Sequence, residues 1–216
     1  MGALQRWLLS LASTAAAVLV AYLWLDRPIS QFAHVELPQY ATFEKLTHIP
    51  DVFIPLAVVI FVAVGLLDLS GRVLTKIQAT ALLCSVSAII ADATKNQLKF
   101  VFGRTWPDTW VQNNPSLIRD GVYGFNPFHG GAGYMSFPSG HLSLTCAVVS
   151  VLWIIYPKLR PLCALVVLAV TVGLIGANYH FLSDIIAGGF VGTSTGWMVT
   201  ELRKAHQSVG ADPRLD

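Results

Sequence analysis

The chain has 216 residues, of which 54% are hydrophobic and 12% charged, and its mean hydropathy is +0.60. These values lie well outside the usual range of soluble proteins and predict an integral membrane protein. The net charge of +2, without a basic cluster, excludes the pattern that is typical of nucleic-acid binding.

Apolar runs predict about six membrane-spanning helices. They lie at roughly residues 7–25, 52–69, 77–98, 141–156, 161–177 and 185–201. Several approach the length that crosses a hydrocarbon core of about 30 Å. The first run is long for the apolar part of a secretory signal, so we expect it to remain as a span. With no soluble domain or linker, residues 1–216 are expected to form one domain, an all-α, polytopic membrane helix bundle.

Two stretches between the runs are too polar to span. Residues 28–50 carry apolar side chains at spacings that indicate an amphipathic helix lying at the membrane surface. Residues 100–137 form a long loop rich in glycine, proline, asparagine and aromatic residues. Such a long loop in a compact protein is typical of a cover over a functional site, and we expect an ordered lid.

The basic residues of the short loops predict the orientation. One side of the membrane carries Arg6, Arg72, Lys76, Lys158, Arg160, Arg203 and Lys204. We expect this side to be cytoplasmic, with both termini inside and the protein in the inner (cytoplasmic) membrane. Residues 100–137 and the chemistry-bearing motifs would then face outward, towards the periplasm of a bacterial cell.

Two histidine motifs carry the chemistry. His180 is followed four positions later by Asp184, a spacing that places both side chains on one helix face. There the carboxylate holds one ring nitrogen protonated and leaves the other free to attack an electrophile. His141 ends a Pro-Ser-Gly-His sequence that shapes a helix N-terminus, where phosphate is attracted and a leaving group can be protonated. Together they predict phosphoryl transfer through a histidine.

These motifs resemble those of the type 2 phosphatidic acid phosphatase family, which shares its site with vanadium haloperoxidases and glucose-6-phosphatases. The family has three signatures: Lys, six residues, Arg-Pro; Pro-Ser-Gly-His; and Ser-Arg, five residues, His, three residues, Asp. The second is intact at residues 138–141, and the third keeps His180 and Asp184. The resemblance covers residues 95–189.

The resemblance implies a role for each site residue. His180 would be the nucleophile that forms a phosphohistidine, Asp184 would orient it, and His141 would protonate the leaving oxygen and later activate water. The phosphate oxygens would be held by Lys99, Arg104, Ser139 and Gly140. The family works without a metal, and we expect no metal ion and no cofactor.

The chain departs from the family at both arginines of the phosphate site. Their positions hold Trp106 and Leu174. Arg104 is the expected substitute for the first, because a long guanidinium side chain reaches far from its backbone. For the second, Lys95 and Asn178 are candidates only if folding brings them there. The alternative for Lys95 is a local ion pair with Asp92.

We therefore expect hydrolysis of a lipid-linked phosphate monoester or pyrophosphate. The substrates considered are undecaprenyl pyrophosphate, phosphatidylglycerol phosphate, phosphatidic acid and lipid A. One alternative is a phosphotransferase that passes phosphate between lipids, and another is a catalytically weakened protein that binds or transports a lipid phosphate. The expected partners are the lipid substrate and the bilayer, without nucleic acid or an obligate protein partner. The three cysteines, Cys84, Cys146 and Cys163, lie in apolar runs and predict neither disulfides nor a metal site.

Overall fold

In the computed structural model, every regular element among the described residues (2–37, 40–110 and 112–209) is a helix, and the only β pairing there is isolated bridges. The α-helices in chain order are α1 (Ala3–Val20), α2 (Asp26–Glu36), α3 (Tyr40–Thr47), α4 (Phe53–Leu69), α5 (Lys76–Phe102), α6 (Leu117–Asp120), α7 (Gly140–Ile155), α8 (Arg160–Gly176) and α9 (Leu182–Val209). The all-α prediction is confirmed.

Every predicted apolar run lies on a helix to within a residue at either end. Within the described part of the chain, four stretches are long and apolar enough to cross a membrane: Ala3–Glu36, Ala41–Leu69, Lys76–Phe102 and Pro157–Gly176. α7 is apolar but shorter, and α9 is long but interrupted by glycine, serine and threonine. The polytopic membrane bundle is therefore confirmed, while the count of six spans stays a prediction.

The helices that frame the site have clear start and stop signals. Thr75 caps α5 by accepting a hydrogen bond from the Gln78 backbone N–H, and Gly103 ends α5 with a left-handed φ of 55°. A Cβ at Gly103 would lie 1.8 Å from the carbonyl oxygen of Asn126, so only glycine fits there. Ser139 caps α7 through the Leu142 N–H. These signals fix where α5 ends and where α7 begins.

α7 and α9 pack closely because one face of α9 is a stripe of glycines. A Cβ at Gly188, Gly192 or Gly196 would lie within 2.5 Å of an oxygen atom on α7 or its N-cap. Small residues at this spacing let two helix backbones approach each other, as is common in membranes.

We expect a Gly192→Ala variant to lower the free energy of unfolding by about 1–3 kcal/mol, the usual range for overpacking. Its Cβ would lie 2.1 Å from the Ser143 carbonyl oxygen and 2.7 Å from the Ala147 nitrogen, both backbone atoms that cannot rotate away. Gly189→Ala is the matched control, since its Cβ would meet Leu142 Cδ2 at 3.5 Å and Cys146 Sγ at 4.0 Å, which are ordinary contacts. Thermal unfolding in detergent micelles measures both, and equal stability of the two variants would contradict this packing.

The segment 28–50 differs from its prediction. A π-helical turn, Ala21–Leu25, joins α1 directly to α2, so α2 continues the first apolar helix instead of starting a separate surface helix. α2 also buries Ser30 and Ala33. α3 packs on α8. Leu46 of α3 lies so close to Gly173 of α8 that a Cβ added at Gly173 would be 2.7 Å from the Cβ of Leu46. The helix propensity and the amphipathic pattern of this segment correctly predicted helical structure. They did not predict that α2 and α3 pack as part of the bundle.

The long segment between α5 and α7 is ordered around aromatic contacts. The Phe137 ring lies 4.8 Å from that of Phe102 and 5.3 Å from that of Phe125. α6 and a 3₁₀ turn at Ala132–Tyr134 are its only helical parts among the described residues. This segment brings Arg104 and Ser136 to the site.

Candidate active site

The residues singled out from the sequence meet at one end of the bundle. There the start of α2 and the C-terminal end of α5 face the N-terminal ends of α7 and α9. Arg104 bonds to both Asp26 and Asp184, and the Ser139 backbone N–H donates to the Asp184 carbonyl oxygen at 3.0 Å. The site is therefore assembled from four separate parts of the chain.

His180 and Asp184 form the pair that their spacing predicts. His180 is 3% exposed, and its Nδ1 lies 3.4 Å from Asp184 Oδ2. They do not share a helix face, because α9 begins only at Leu182 and His180 lies in the connection that precedes it. Burial lowers the pKa of His180 below its usual range, although the nearby Asp184 carboxylate opposes this shift. The ring is thus held neutral, which is the nucleophilic form.

The Asp184 carboxylate is fixed from several sides. Its Oδ2 accepts hydrogen bonds from the Ser136 hydroxyl at 2.6 Å and from the Phe181 backbone N–H at 3.0 Å. Its Oδ1 accepts from the Arg104 guanidinium at 2.5 Å. A carboxylate held in this way sets the orientation of the His180 ring and stabilises positive charge on it.

Arg104 lies behind this pair and has no exposed surface. Its second terminal nitrogen donates to Asp26 Oδ2 at 2.7 Å. Asp26, also fully buried, accepts from the Ser183 backbone N–H at 2.9 Å and from the Tyr123 hydroxyl at 3.1 Å. The prediction that Arg104 binds phosphate does not fit this position, because both terminal nitrogens already bond to carboxylates. The structure gives Arg104 the role of holding Asp184 instead.

His141 stands across the site from His180. Their ring centroids are 6.0 Å apart, and the His141 side chain is 24% exposed. Its Nε2 lies 3.8 Å from Asp51 Oδ1, and Asp51 Oδ2 in turn contacts His48 Nδ1 at 2.6 Å. Asp51 therefore faces the predicted general acid from the turn before α4.

The remaining predicted phosphate-binding residues line the same region. Ser139 and Gly140 form the buried N-terminus of α7. The Lys99 ammonium, on the last turn of α5, donates to the Met135 carbonyl oxygen at 2.6 Å. A helix N-terminus and a lysine are both groups that attract phosphate.

The two positions that hold arginine in the family are filled by uncharged side chains. The Trp106 ring lies 5.3 Å from the His180 ring, and its Nε1 donates to the Ala132 carbonyl oxygen. Leu174 has no exposed surface and belongs to an apolar cluster with Leu142, Cys146, Val170 and Ile185. Asn178, one candidate for the lost charge, accepts a hydrogen bond from Ser30 on α2. Lys95, the other candidate, lies beside Gly140.

Sequence reasoning missed Asp26, Asp51 and Ser136. Asp26 follows the first apolar run and Asp51 precedes the second, so both resembled ordinary flanking residues. The available signal was an acidic side chain at the end of an apolar run, since ionisable groups at membrane depth are usually functional. Ser136, two residues before Pro138, carried no signal.

Comparison with known proteins adds a family and two relatives. The PAP2 superfamily model matches residues 80–208, which include Lys99, His141, His180 and Asp184. The lipid A 1-phosphatase of Rhizobium johnstonii is 29% identical over 198 residues, covering 85% of this chain and 75% of that protein. The lipid A 1-phosphatase of Rhizobium etli is 30% identical over 104 residues, which span 47% of this chain and 41% of that protein.

A similar fold is found in the crystal structure of the first transmembrane PAP2 type phosphatidylglycerolphosphate phosphatase from Bacillus subtilis. The TM-score is 0.52 at 18% identity, and the alignment covers 94% of this chain and 96% of that one. At this identity, the likeness concerns the membrane helix bundle alone.

Proposed function

Because this chain belongs to the PAP2 superfamily, we propose that it hydrolyses a lipid-linked phosphate monoester or pyrophosphate through a phosphohistidine intermediate. The observation that carries the proposal is the buried His180–Asp184 pair facing His141 at the N-terminus of α7. The pair supplies a nucleophile, and His141 supplies an acid within reach of the same phosphate.

In the first step, His180 Nε2 attacks phosphorus while Nδ1 stays turned towards Asp184. The bond between phosphorus and the lipid oxygen breaks, and that oxygen takes a proton from His141. In the second step, His141 removes a proton from water, the hydroxide attacks phosphorus, and the P–N bond breaks to release inorganic phosphate. Asp184 and Arg104 keep the ring in place throughout.

The developing charge on the phosphate oxygens is met by Lys99, the Ser139 hydroxyl and the Gly140 backbone N–H. Preorganised donors of this kind often supply the largest part of transition-state stabilisation. No metal enters this mechanism, and among the residues that the structure describes no three His, Cys, Asp or Glu side chains are grouped as metal ligands.

Among the four lipids considered, lipid A comes first for testing because two relatives are named lipid A 1-phosphatases. Phosphatidylglycerol phosphate, undecaprenyl pyrophosphate and phosphatidic acid remain in the proposal as other substrates with a membrane-anchored phosphate. We place the site at the periplasmic face of the inner membrane, with both termini cytoplasmic. The excess of lysine and arginine in the opposite loops supports this orientation.

The test is phosphate release by the purified protein in detergent micelles from each of the four lipids. We expect release from at least one lipid, unchanged by EDTA, and no release by a His180→Ala variant of unchanged thermal stability. Release that survives His180→Ala would refute the phosphohistidine, and release that EDTA abolishes would refute the metal-independent mechanism.

The uncharged Trp106 and Leu174 favour a second candidate, a protein that binds a lipid phosphate without turning it over. A binder would release no phosphate from any lipid but would retain the lipid in both wild type and His180→Ala. A phosphotransferase would instead release no free phosphate and would phosphorylate an added acceptor lipid. The same micelle assay, with lipid products separated by chromatography, distinguishes all three.

A further inference from the structure

The site lacks both guanidinium groups of its family, yet a phosphate dianion still requires positive charge. We propose that Lys95 supplies it, as a second phosphate-binding cation beside Lys99. This inference rests on the proposed function, because it assigns a residue to the same phosphate site.

Lys95 lies against the N-terminus of α7. A Cβ built on Gly140 would be 3.2 Å from Lys95 Cδ, 3.3 Å from Cε and 3.6 Å from Nζ. The side chain therefore runs along the first residue of α7, where the unpaired N–H groups of the helix point. The ammonium therefore lies next to the residue that carries the first of those N–H groups.

Two lysines on α5 face the site in succession. Lys95 and Lys99 are four residues apart on one helix and so lie on the same face, one turn above the other. Lys99 reaches the carbonyl of Met135, while Lys95 is one turn deeper and next to Gly140. Together they provide two positive charges on one face of α5.

Acidic and amide groups on α5 hold the Lys95 ammonium. Nζ is 2.9 Å from Asp92 Oδ1 and 3.0 Å from Asn96 Oδ1. The Lys95 side chain is 12% exposed and that of Asp92 is 33% exposed, so the ion pair is not fully enclosed by the protein. Lysine is a flexible point charge, and a phosphate that enters the site competes with Asp92 for it. The local ion pair between Lys95 and Asp92 expected from the sequence is thus present. It holds the Lys95 ammonium beside the N-terminus of α7.

The experiment measures binding of inorganic phosphate by isothermal titration calorimetry to the full-length protein in detergent micelles, so that it needs no turnover. We expect Lys95→Gln to weaken phosphate binding about tenfold or more, since a charge-assisted hydrogen bond is lost. Lys95→Arg should keep most of the affinity. Asp92→Asn should tighten binding several-fold, because it removes the competing carboxylate.

The matched control is Lys45→Gln, the same substitution at an exposed lysine of α3. Wild-type affinity in Lys95→Gln, weakening of equal size in Lys45→Gln, or no phosphate binding by the wild type would each overturn the assignment. Asp92→Asn keeps the test valid if Lys95→Gln does not fold, and unchanged binding in that variant would also count against it.

The experiments distinguish a failure of the Lys95 assignment from a failure of the proposed function. Lipid hydrolysis by the wild type with unchanged phosphate binding in Lys95→Gln would remove Lys95 from the site and leave the enzyme intact. Conversely, phosphate binding that depends on Lys95, in a protein that hydrolyses no lipid, would keep the anion site and refute the phosphatase.

Discussion

Replacing Arg104 with methionine is expected to lower the free energy of unfolding by about 3–5 kcal/mol, the usual effect of breaking a buried ion pair. The change leaves the carboxylates of Asp26 and Asp184 without their shared cation, in a cluster whose three members have no exposed surface. For a chain of this size the midpoint of thermal unfolding should fall by about 10 °C. Intrinsic fluorescence during heating in detergent micelles measures the shift.

The partner variant Arg104→Met/Asp26→Asn should recover part of this loss, because only one of the two carboxylates then stays charged and unpaired. Arg119→Met provides the control: Arg119 bonds to Asp120 from an exposed position, where ion pairs contribute about 0–1 kcal/mol. An Arg104→Met protein as stable as the wild type, or a double variant less stable than Arg104→Met, would show that the cluster does not work as described.

Restoring the family's arginine at position 174 is expected to damage the protein rather than to strengthen the site. Leu174 is fully buried among apolar side chains, so Leu174→Arg would place a guanidinium inside an apolar cluster. An unpaired buried charge costs several kcal/mol. We expect little folded protein in detergent and a low unfolding temperature by the same fluorescence measurement.

Leu174→Met separates the loss of leucine from the gain of charge, since volume-conserving apolar exchanges usually cost less than about 1.5 kcal/mol. If Leu174→Arg instead folds normally and binds inorganic phosphate more tightly, the guanidinium must reach the site, and the packing around Leu174 would be less rigid than its burial indicates.

The sequence predicted the helices well because long apolar runs have a single stable form in a bilayer, where every backbone polar group must be paired. It also predicted the pairing of His180 with Asp184, because a separation of four residues keeps them close even though α9 starts between them. Local spacing was sufficient for both.

The spacing of residues in the sequence did not predict contacts between residues that are distant in the chain. Counting from the family signature places Arg104 near the phosphate, but its partners Asp26 and Asp184 lie 78 and 80 residues away. The fold determines which acceptors surround a guanidinium group, and a sequence motif contains no information about them. For the same reason, the sequence could not choose between the two candidates for the missing positive charge. In the fold, Asn178 contacts α2, whereas Lys95 lies beside the start of α7.

The π turn that carries α1 into α2 has a consequence for biosynthesis. It delivers Asp26 to Ser183 and thereby joins parts of the chain 157 residues apart. Because a chain is made from its N-terminus, Asp26 and Arg104 are both synthesised before α9. That early pair is electrically neutral, whereas the finished cluster carries one excess negative charge, which arrives only with Asp184. His180, the proposed nucleophile, and Asp184 are therefore synthesised after the other members of this cluster, and a chain truncated before His180 lacks both.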